Sequence, residues 1–421
     1  MKSKNADHPH SFLRSVGRTA GFNLAATGVS AFTGVLLARW LGPSGRGDYA
    51  AVTAYFGLAL VFFELGLGSS VVFHVSRFKR SYADYVWTAS VLLVPLALTA
   101  ALVSVILGVT VFGDSPSRRA AFLIIPFSIV CSFANAPASF ALQSLNLRSW
   151  NLIRVSQALI FMLLIVGMHH VVTLDVSLVI LLMTVSIAFQ TVLVWWLYAR
   201  QRPPKGQFRR ENVRPMLRFG VLNMSSTTPN VVNGRFDQIV LAVMVSSAAL
   251  GQYAVAVSIS VLAAPMVMAF GNVAFPSLAR GERVLETIRT ATRGSILVSV
   301  ASIALILVTG PFLVPVLFGP GYESVPRLLL ILAPGATVVV VNQVLGDVLR
   351  GLGRPGVVAV CEWLGVISTV AGLVLLVPVL GVIGAAVTST VTYAIVYAFL
   401  RRAVSRHATT FRMAPTKASQ G

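Results

Sequence analysis

"LARWLGPSGRGDYA", Leu37–Ala50, meets "LAVMVSSAALGQYA", Leu241–Ala254, at an offset of 204 residues and without gaps. Leu37, Ala38, Gly47, Tyr49 and Ala50 face identical residues in the second stretch. Two more matches follow in the same order. Phe112-Gly113 pairs with Phe318-Gly319 at an offset of 206, and Asn135, Leu142 and Leu145 pair with Asn342, Leu349 and Leu352 at 207. Apolar sequences resemble one another by composition, so each match alone is weak. Three in order at nearly one offset read as an internal duplication.

What is duplicated follows from the sequence around these stretches. The chain has 421 residues, 56% hydrophobic and 11% charged, against about 25% charged in a soluble domain. Twelve apolar runs of spanning length recur: 19–40, 49–72, 85–112, 120–142, 152–172, 176–197, 219–245, 249–275, 295–317, 325–348, 357–379 and 383–400. A bilayer core about 30 Å thick takes about 20 apolar helical residues, so each run reads as a transmembrane helix. The last two nearly merge at "VLGVIGAA". The first run follows eighteen mostly polar residues and is longer than a signal-peptide core, so it is expected to be a retained helix.

The net charge of +20 would suggest nucleic acid in a soluble protein, but its distribution gives another cause. With the N-terminus inside, 27 of the 33 basic residues fall on the cytoplasmic side and four (Arg46, Arg118, Arg119, Arg327) on the outer side. This is the positive-inside bias, and it puts both termini in the cytoplasm. No nucleic-acid partner is implied. Cys131 and Cys361 fall inside runs and offer neither a disulfide framework nor metal spacing. No cofactor is expected.

The expected architecture is an all-α polytopic membrane protein, with about twelve helices in two parallel six-helix repeats around a central cavity. The expected parts are a bundle over 1–199, a basic cytoplasmic linker over 200–216, a second bundle over 217–400 and a basic tail over 401–421. Parallel repeats are a recurrent transporter design. The outer loops are short and carry only scattered acids, which disfavours a membrane enzyme, and no Walker A pattern is present.

Charges at membrane depth are costly and face protein or water. Four stand out: Arg39, Glu64, Arg235 and Asp237. Asn223, Ser226, Asn230, Asn233 and Asp237 recur at spacings of three and four, sharing an arc of about 80° on a helix. Such a stripe lines a cavity or packs on another polar helix. Arg235 lies two residues from Asp237 and points away from the stripe. Pro229 predicts a kink in this helix. The first helix carries a related stripe of Thr19, Asn23, Thr27 and Ser30, and the tenth adds Asn342. Asp347 and Arg350 have the spacing of a local ion pair near a helix end.

"FNLAATGVSAFTGVLLARWLGPSGRGDYA" and "FELGLGSSVVFHVSR" resemble the start of Wzx-type polysaccharide flippases, within the multidrug/oligosaccharidyl-lipid/polysaccharide exporter superfamily. "GRFDQIVLAVMVSSAALGQYAVA", "FPSLAR" and "LFGPGYESVPRLLLIL" are similar to that family's second half, so the resemblance covers nearly the whole chain. It departs at Glu64, where an Asp is frequent, and in its thin cavity charge compared with lipid II flippases, which usually have fourteen helices.

The resemblance implies flipping of an undecaprenyl-pyrophosphate-linked oligosaccharide from the inner to the outer leaflet of the bacterial inner (plasma) membrane. The coupling would be to an H+ or Na+ gradient, and the partners membrane lipids and polysaccharide assembly machinery. In that reading Arg235, Asn230, Asn233, Asn223, Asn23, Arg39 and Asn342 bind substrate, because arginine suits phosphate and amides suit sugar hydroxyls. Asp237 and Glu64 couple the ion, because a carboxylate in a low-dielectric cavity can exchange a proton. A drug/cation antiporter of the same superfamily is the nearest alternative, and a membrane-embedded polysaccharide polymerase a more distant one.

Overall fold

A computed structural model describes residues 8–78, 81–112, 115–279 and 284–413, and among these every regular element is a helix. The first part of the chain forms α1 (His8–Glu64), α2 (Leu67–Arg77), α3 (Tyr82–Thr110), α4 (Pro116–Leu145), α5 (Leu147–His169) and α6 (Val176–Ala199). The second forms α7 (Arg210–Met244), α8 (Ser247–Ser260), α9 (Ala264–Ala279), α10 (Val284–Phe318), α11 (Val325–Gly351) and α12 (Pro355–Met413).

Eight of these helices are long and apolar enough to cross a membrane, and the bent pair α8–α9 makes a ninth span. The twelve expected runs are reached because α1 and α12 are each broken, at Gly42 (φ 65) and Gly381 (φ 55), and because α7 is long but carries the polar stripe. Left-handed backbone is open to glycine, so each break falls where the sequence places one. Pro43 then opens the second part of α1, where a missing N–H costs nothing. The Gly381 break sits in the "VLGVIGAA" junction.

Two runs read as single helices are in fact broken. The run 49–72 stops at Leu65 (φ 51) and Gly66 (φ 67) before α2 begins. The run 249–275 bends by 47° between α8 and α9. Both are the second span of their repeat.

The chain packs as two compact units: the described residues of 1–40 and 59–223, and those of 41–58 and 224–421. Residues 41–58, in the middle of α1, therefore pack with the second group. In the first unit α4 and α6 are joined by polar side chains. Ser128 and Thr184 hydroxyls lie 2.6 Å apart, Thr191 Oγ1 donates to Cys131 O at 3.1 Å and Trp195 Nε1 to Ala134 O at 3.0 Å. Such bonds are a main source of specificity where lipid is as apolar as the helices.

The core of the second unit is built on Val341, Val344, Val348 and Leu349 of α11, against Val358, Cys361, Val396 and Leu400 of α12 and Val267 and Ala274 of α9. Many large apolar side chains face outward, including Leu98, Leu102, Phe312 and Val379. Exposure on this scale would be a liability in water and is the expected state in a bilayer.

The segment between α6 and α7, within the stretch expected as a linker, is docked on α3. Gln207 N donates to Asp84 Oδ1 at 2.8 Å, Arg209 N to Thr88 Oγ1 at 3.1 Å, and Arg209 Nε pairs with Asp84 Oδ2 at 3.4 Å. A side chain at Gly206 would meet Trp87 at 2.2 Å, so glycine permits this close approach to α3.

Candidate functional site

The α7 stripe divides into two parts. Asn223 is half-buried, and the side chains of Asn23, Ser226 and Asn230 lie outside the described residues. Deeper in the helix, Asn233 is 6% exposed and Asp237 4% exposed, while Arg235 between them is exposed. The opposed facing of Arg235 and Asp237 follows from helical periodicity.

Asn233 and Asp237 are packed inside the second unit. Thr369 Oγ1 donates to Asn233 Oδ1 at 3.2 Å and Tyr393 OH donates to the Asn233 carbonyl at 3.2 Å, with the Glu362 carboxyl within electrostatic reach of the Asn233 side chain. Gly365 makes room, since a Cβ there would lie 3.1 Å from Asn233 Nδ2. Tyr253 OH of α8 donates to Asp237 Oδ2, and Gln238 N donates to Asp237 Oδ1 at 2.7 Å. The Ser389 hydroxyl lies 3.5 Å from Tyr253 OH. Asn342 of α11 is buried and donates through Nδ2 to Tyr393 O at 2.9 Å.

The result is a buried cluster of oxygen-bearing side chains drawn from α7, α8 and α12, with the carboxylates of Asp237 and Glu362 among them. Among the described residues no three His, Cys, Asp or Glu side chains gather. The donor set suits a proton or an alkali cation better than a transition metal. Tyr253, Thr369, Ser389 and Tyr393 were not singled out from the sequence. Only Tyr253 carried a signal, as an identity in the duplicated stretch.

The second feature is Arg46. Read from sequence as an outer-loop residue, it is helical and 9% exposed, and its Nε has no hydrogen-bond partner. Its guanidinium carbon lies 5.4 Å from the centre of the Tyr49 ring. Tyr49, Tyr322 and Arg235 are all within electrostatic reach of it. Arg46 is thus a buried guanidinium with an unsatisfied donor, and Arg235 adds a second positive charge to its electrostatic surroundings. An unsatisfied buried donor is costly, and an anion would satisfy it.

Arg39 is exposed on α1. Glu64 is half-buried, and its Oε1 accepts from Gly68 N at 2.9 Å, so it caps the start of α2 after the break. Asp347 and Arg350 form the local pair, at 2.9 Å.

The duplicated stretch has a matching structural form. A Cβ on Gly47 would fall 1.8 Å from Ser247 O, and one on Gly251 would fall 1.9 Å from Pro43 O. At the offset of 204, Gly47 corresponds to Gly251 and Pro43 to Ser247, so the contact is reciprocal.

Comparison with known proteins agrees with this architecture. The family described as polysaccharide biosynthesis protein matches residues 12–282. An uncharacterized membrane protein of Methanocaldococcus jannaschii is 25% identical over 284 residues, 65% of this chain and 55% of its own length. The chain thus spans about half the length of that curated relative.

Among solved structures, a lipid II flippase in an inward closed conformation superposes with a TM-score of 0.76 at 12% identity, covering 91% of this chain and 87% of the other. An inward-facing multidrug resistance transporter of the MATE family gives 0.66 at 15% identity over 92% and 96%. A eukaryotic MATE transporter gives 0.64 at 15% identity over 94% and 96%. At these identities the likeness is one of fold. The chain is a multi-pass membrane protein of the polysaccharide biosynthesis family, with a fold like that of the lipid II flippase and the MATE transporters on which it superposes.

Proposed function

We propose that this protein flips a lipid-linked oligosaccharide, carried on undecaprenyl pyrophosphate, from the inner to the outer leaflet by alternating access. The observation that carries this reading is the Arg46–Arg235 neighbourhood. A buried guanidinium with a free donor, within electrostatic reach of a second, exposed arginine, suits a pyrophosphate, which offers several acceptor oxygens and a high negative charge. Family membership supplies the pathway class. Asn223, Asn230, Asn233, Asn23, Arg39 and Asn342 remain candidates for the glycan. The Asp237 pocket is proposed to take the coupling H+ or Na+, with Glu64 as a second carboxylate in the other unit. The membrane is proposed to be the bacterial inner membrane, with both termini cytoplasmic.

The test is surface-glycan display in a strain whose own copy is deleted. Arg46→Ala and Arg235→Ala are expected to abolish display at unchanged protein level, while the Arg→Lys forms retain part of it. If both alanine variants display glycan normally, the reading fails. A drug/cation antiporter is the second reading, favoured by the buried Asp237–Tyr253 pair and by the transporter neighbours. It predicts raised resistance to cationic drugs in an efflux-deficient strain and normal function of the arginine variants.

A further inference from the structure

The first unit has a cavity of ≈ 400 Å³ that the flipping reading does not use, between α2 and the start of α7. Phe73 and His74 line it from α2, and Arg214, Arg218, Phe219 and Leu222 from α7. The Phe73 and Phe219 rings stack at 4.4 Å and form an apolar floor. Arg214 and Arg218 are one helical turn apart on the same face, and both are exposed. Arg77 adds a third guanidinium, 5.9 Å from the centre of the Phe73 ring. His74 is buried, and its Nδ1 is bonded to Ser70 O at 2.8 Å, which leaves Nε2 as the ring's free polar atom.

The surrounding acids do not neutralise this group. Asp84 is paired with Arg209, Glu211 is exposed and acts on Tyr85, and no described carboxylate pairs with Arg77, Arg214 or Arg218. One turn deeper on the same face, Leu222 is 64% exposed. The site therefore grades from three cations to aromatic rings to an exposed aliphatic side chain, in the direction that α7 enters the apolar layer. That is the polarity profile of a phosphate headgroup followed by an acyl chain.

We infer that this cavity binds an anionic membrane phospholipid, its phosphate held by Arg214 and Arg218 and its chain lying along Phe73, Phe219 and Leu222. The pyrophosphate-linked glycan of the proposed function is a poorer occupant. The cavity is small, and none of its lining side chains is an amide or a hydroxyl that would bond to sugar. The site lies among the basic residues of the face read as cytoplasmic, so its leaflet rests on that reading. Its chemistry does not. A bound lipid would bridge α2 to α7 next to the Gly66–Gly220 contact.

The test is native mass spectrometry of the full chain in detergent, titrated separately with phosphatidylglycerol, phosphatidylcholine and undecaprenyl phosphate. Phosphatidylglycerol is expected to bind in preference to the other two. Replacing both arginines (Arg214→Gln with Arg218→Gln) should weaken it about twenty-five-fold, from about fivefold per arginine. The charge-keeping pair Arg214→Lys with Arg218→Lys should retain most of the binding, which separates lost charge from lost fold. Arg401→Gln with Arg402→Gln, on α12, should leave binding unchanged.

Equal binding of phosphatidylglycerol and phosphatidylcholine, or an unaltered Gln pair, overturns the site. Preference for undecaprenyl phosphate overturns the choice of occupant, as does displacement by millimolar inorganic phosphate alone. None of these readouts depends on glycan export, so the site can fail while the flipping reading stands, and the reverse.

Discussion

At Asp237 the stability of the fold and the proposed coupling role can be tested separately. It is buried, and it receives hydrogen bonds from Tyr253 OH and Gln238 N. Tyr253→Phe keeps the ring packed and removes one donor. It should cost about 1–3 kcal/mol, the usual range for leaving a buried hydrogen-bonding group without its partner. Thermal unfolding in detergent would register it as a lower Tm, and an unchanged Tm would show that the bond carries little. Asp237→Asn is nearly isosteric and can still accept from Tyr253, so folded abundance should persist while ion-driven export is lost. Retained export by Asp237→Asn would remove the carboxylate from the coupling role. Arg46 makes the complementary point. Its residue type was plain in the sequence, but its burial came from packing that no local pattern records.

At the scale of elements, the breaks and close contacts are specified by glycine. Gly66 has φ 67, and a Cβ there would fall 2.2 Å from Gly220 O, while one on Gly220 would fall 2.5 Å from Leu65 O. Gly66→Ala thus meets both left-handed strain, about 1–2 kcal/mol, and a backbone clash. It should lower Tm clearly, whereas Gly34→Ala, with nothing within 4 Å, should be neutral or slightly stabilising. If the two substitutions behave alike, the break is not held by this contact.

The reciprocal pair gives a sharper expectation. Gly47→Ala and Gly251→Ala each drive a methyl group into a carbonyl across the same crossing, at 1.8 and 1.9 Å before relaxation. The two should destabilise to a similar extent, and the double variant should cost less than the sum, because they disrupt one crossing. Additive effects in detergent unfolding would argue against a shared contact. Close backbone approach through small residues four apart is a common way for membrane helices to cross.

At the scale of the whole molecule, the charge distribution makes a topological prediction. Lys205 is exposed in the docked segment between α6 and α7. With Cys131 and Cys361 replaced by Ala, a Lys205→Cys variant should react with a membrane-impermeant maleimide in inside-out vesicles and not in intact cells. Labelling from outside would invert the positive-inside assignment. It would also place the α2–α7 cavity in the other leaflet without altering its lipid chemistry.

The sequence alone determined the helical membrane class, the number of spans and the duplication, because these depend on local composition and spacing. A run of about 20 apolar residues has few options in a bilayer, where each backbone polar group must be satisfied within its own segment. Even the Gly381 break was visible as a glycine between two runs. The α7 stripe was also legible, since period 3.6 places Asn233 and Asp237 on one face and Arg235 on another.

Only the tertiary structure decided what those faces meet. Asn233 and Asp237 are enclosed by Tyr253, Glu362, Thr369 and Tyr393, up to 160 residues away in sequence. Residues 41–58 pack with the second half of the chain. Arg46 is withdrawn from solvent, within electrostatic reach of Arg235. Periodicity specifies the direction in which a side chain leaves its helix. Its neighbour on the next helix is set by the packing of small residues and hydrogen bonds between segments, which a single sequence does not encode locally.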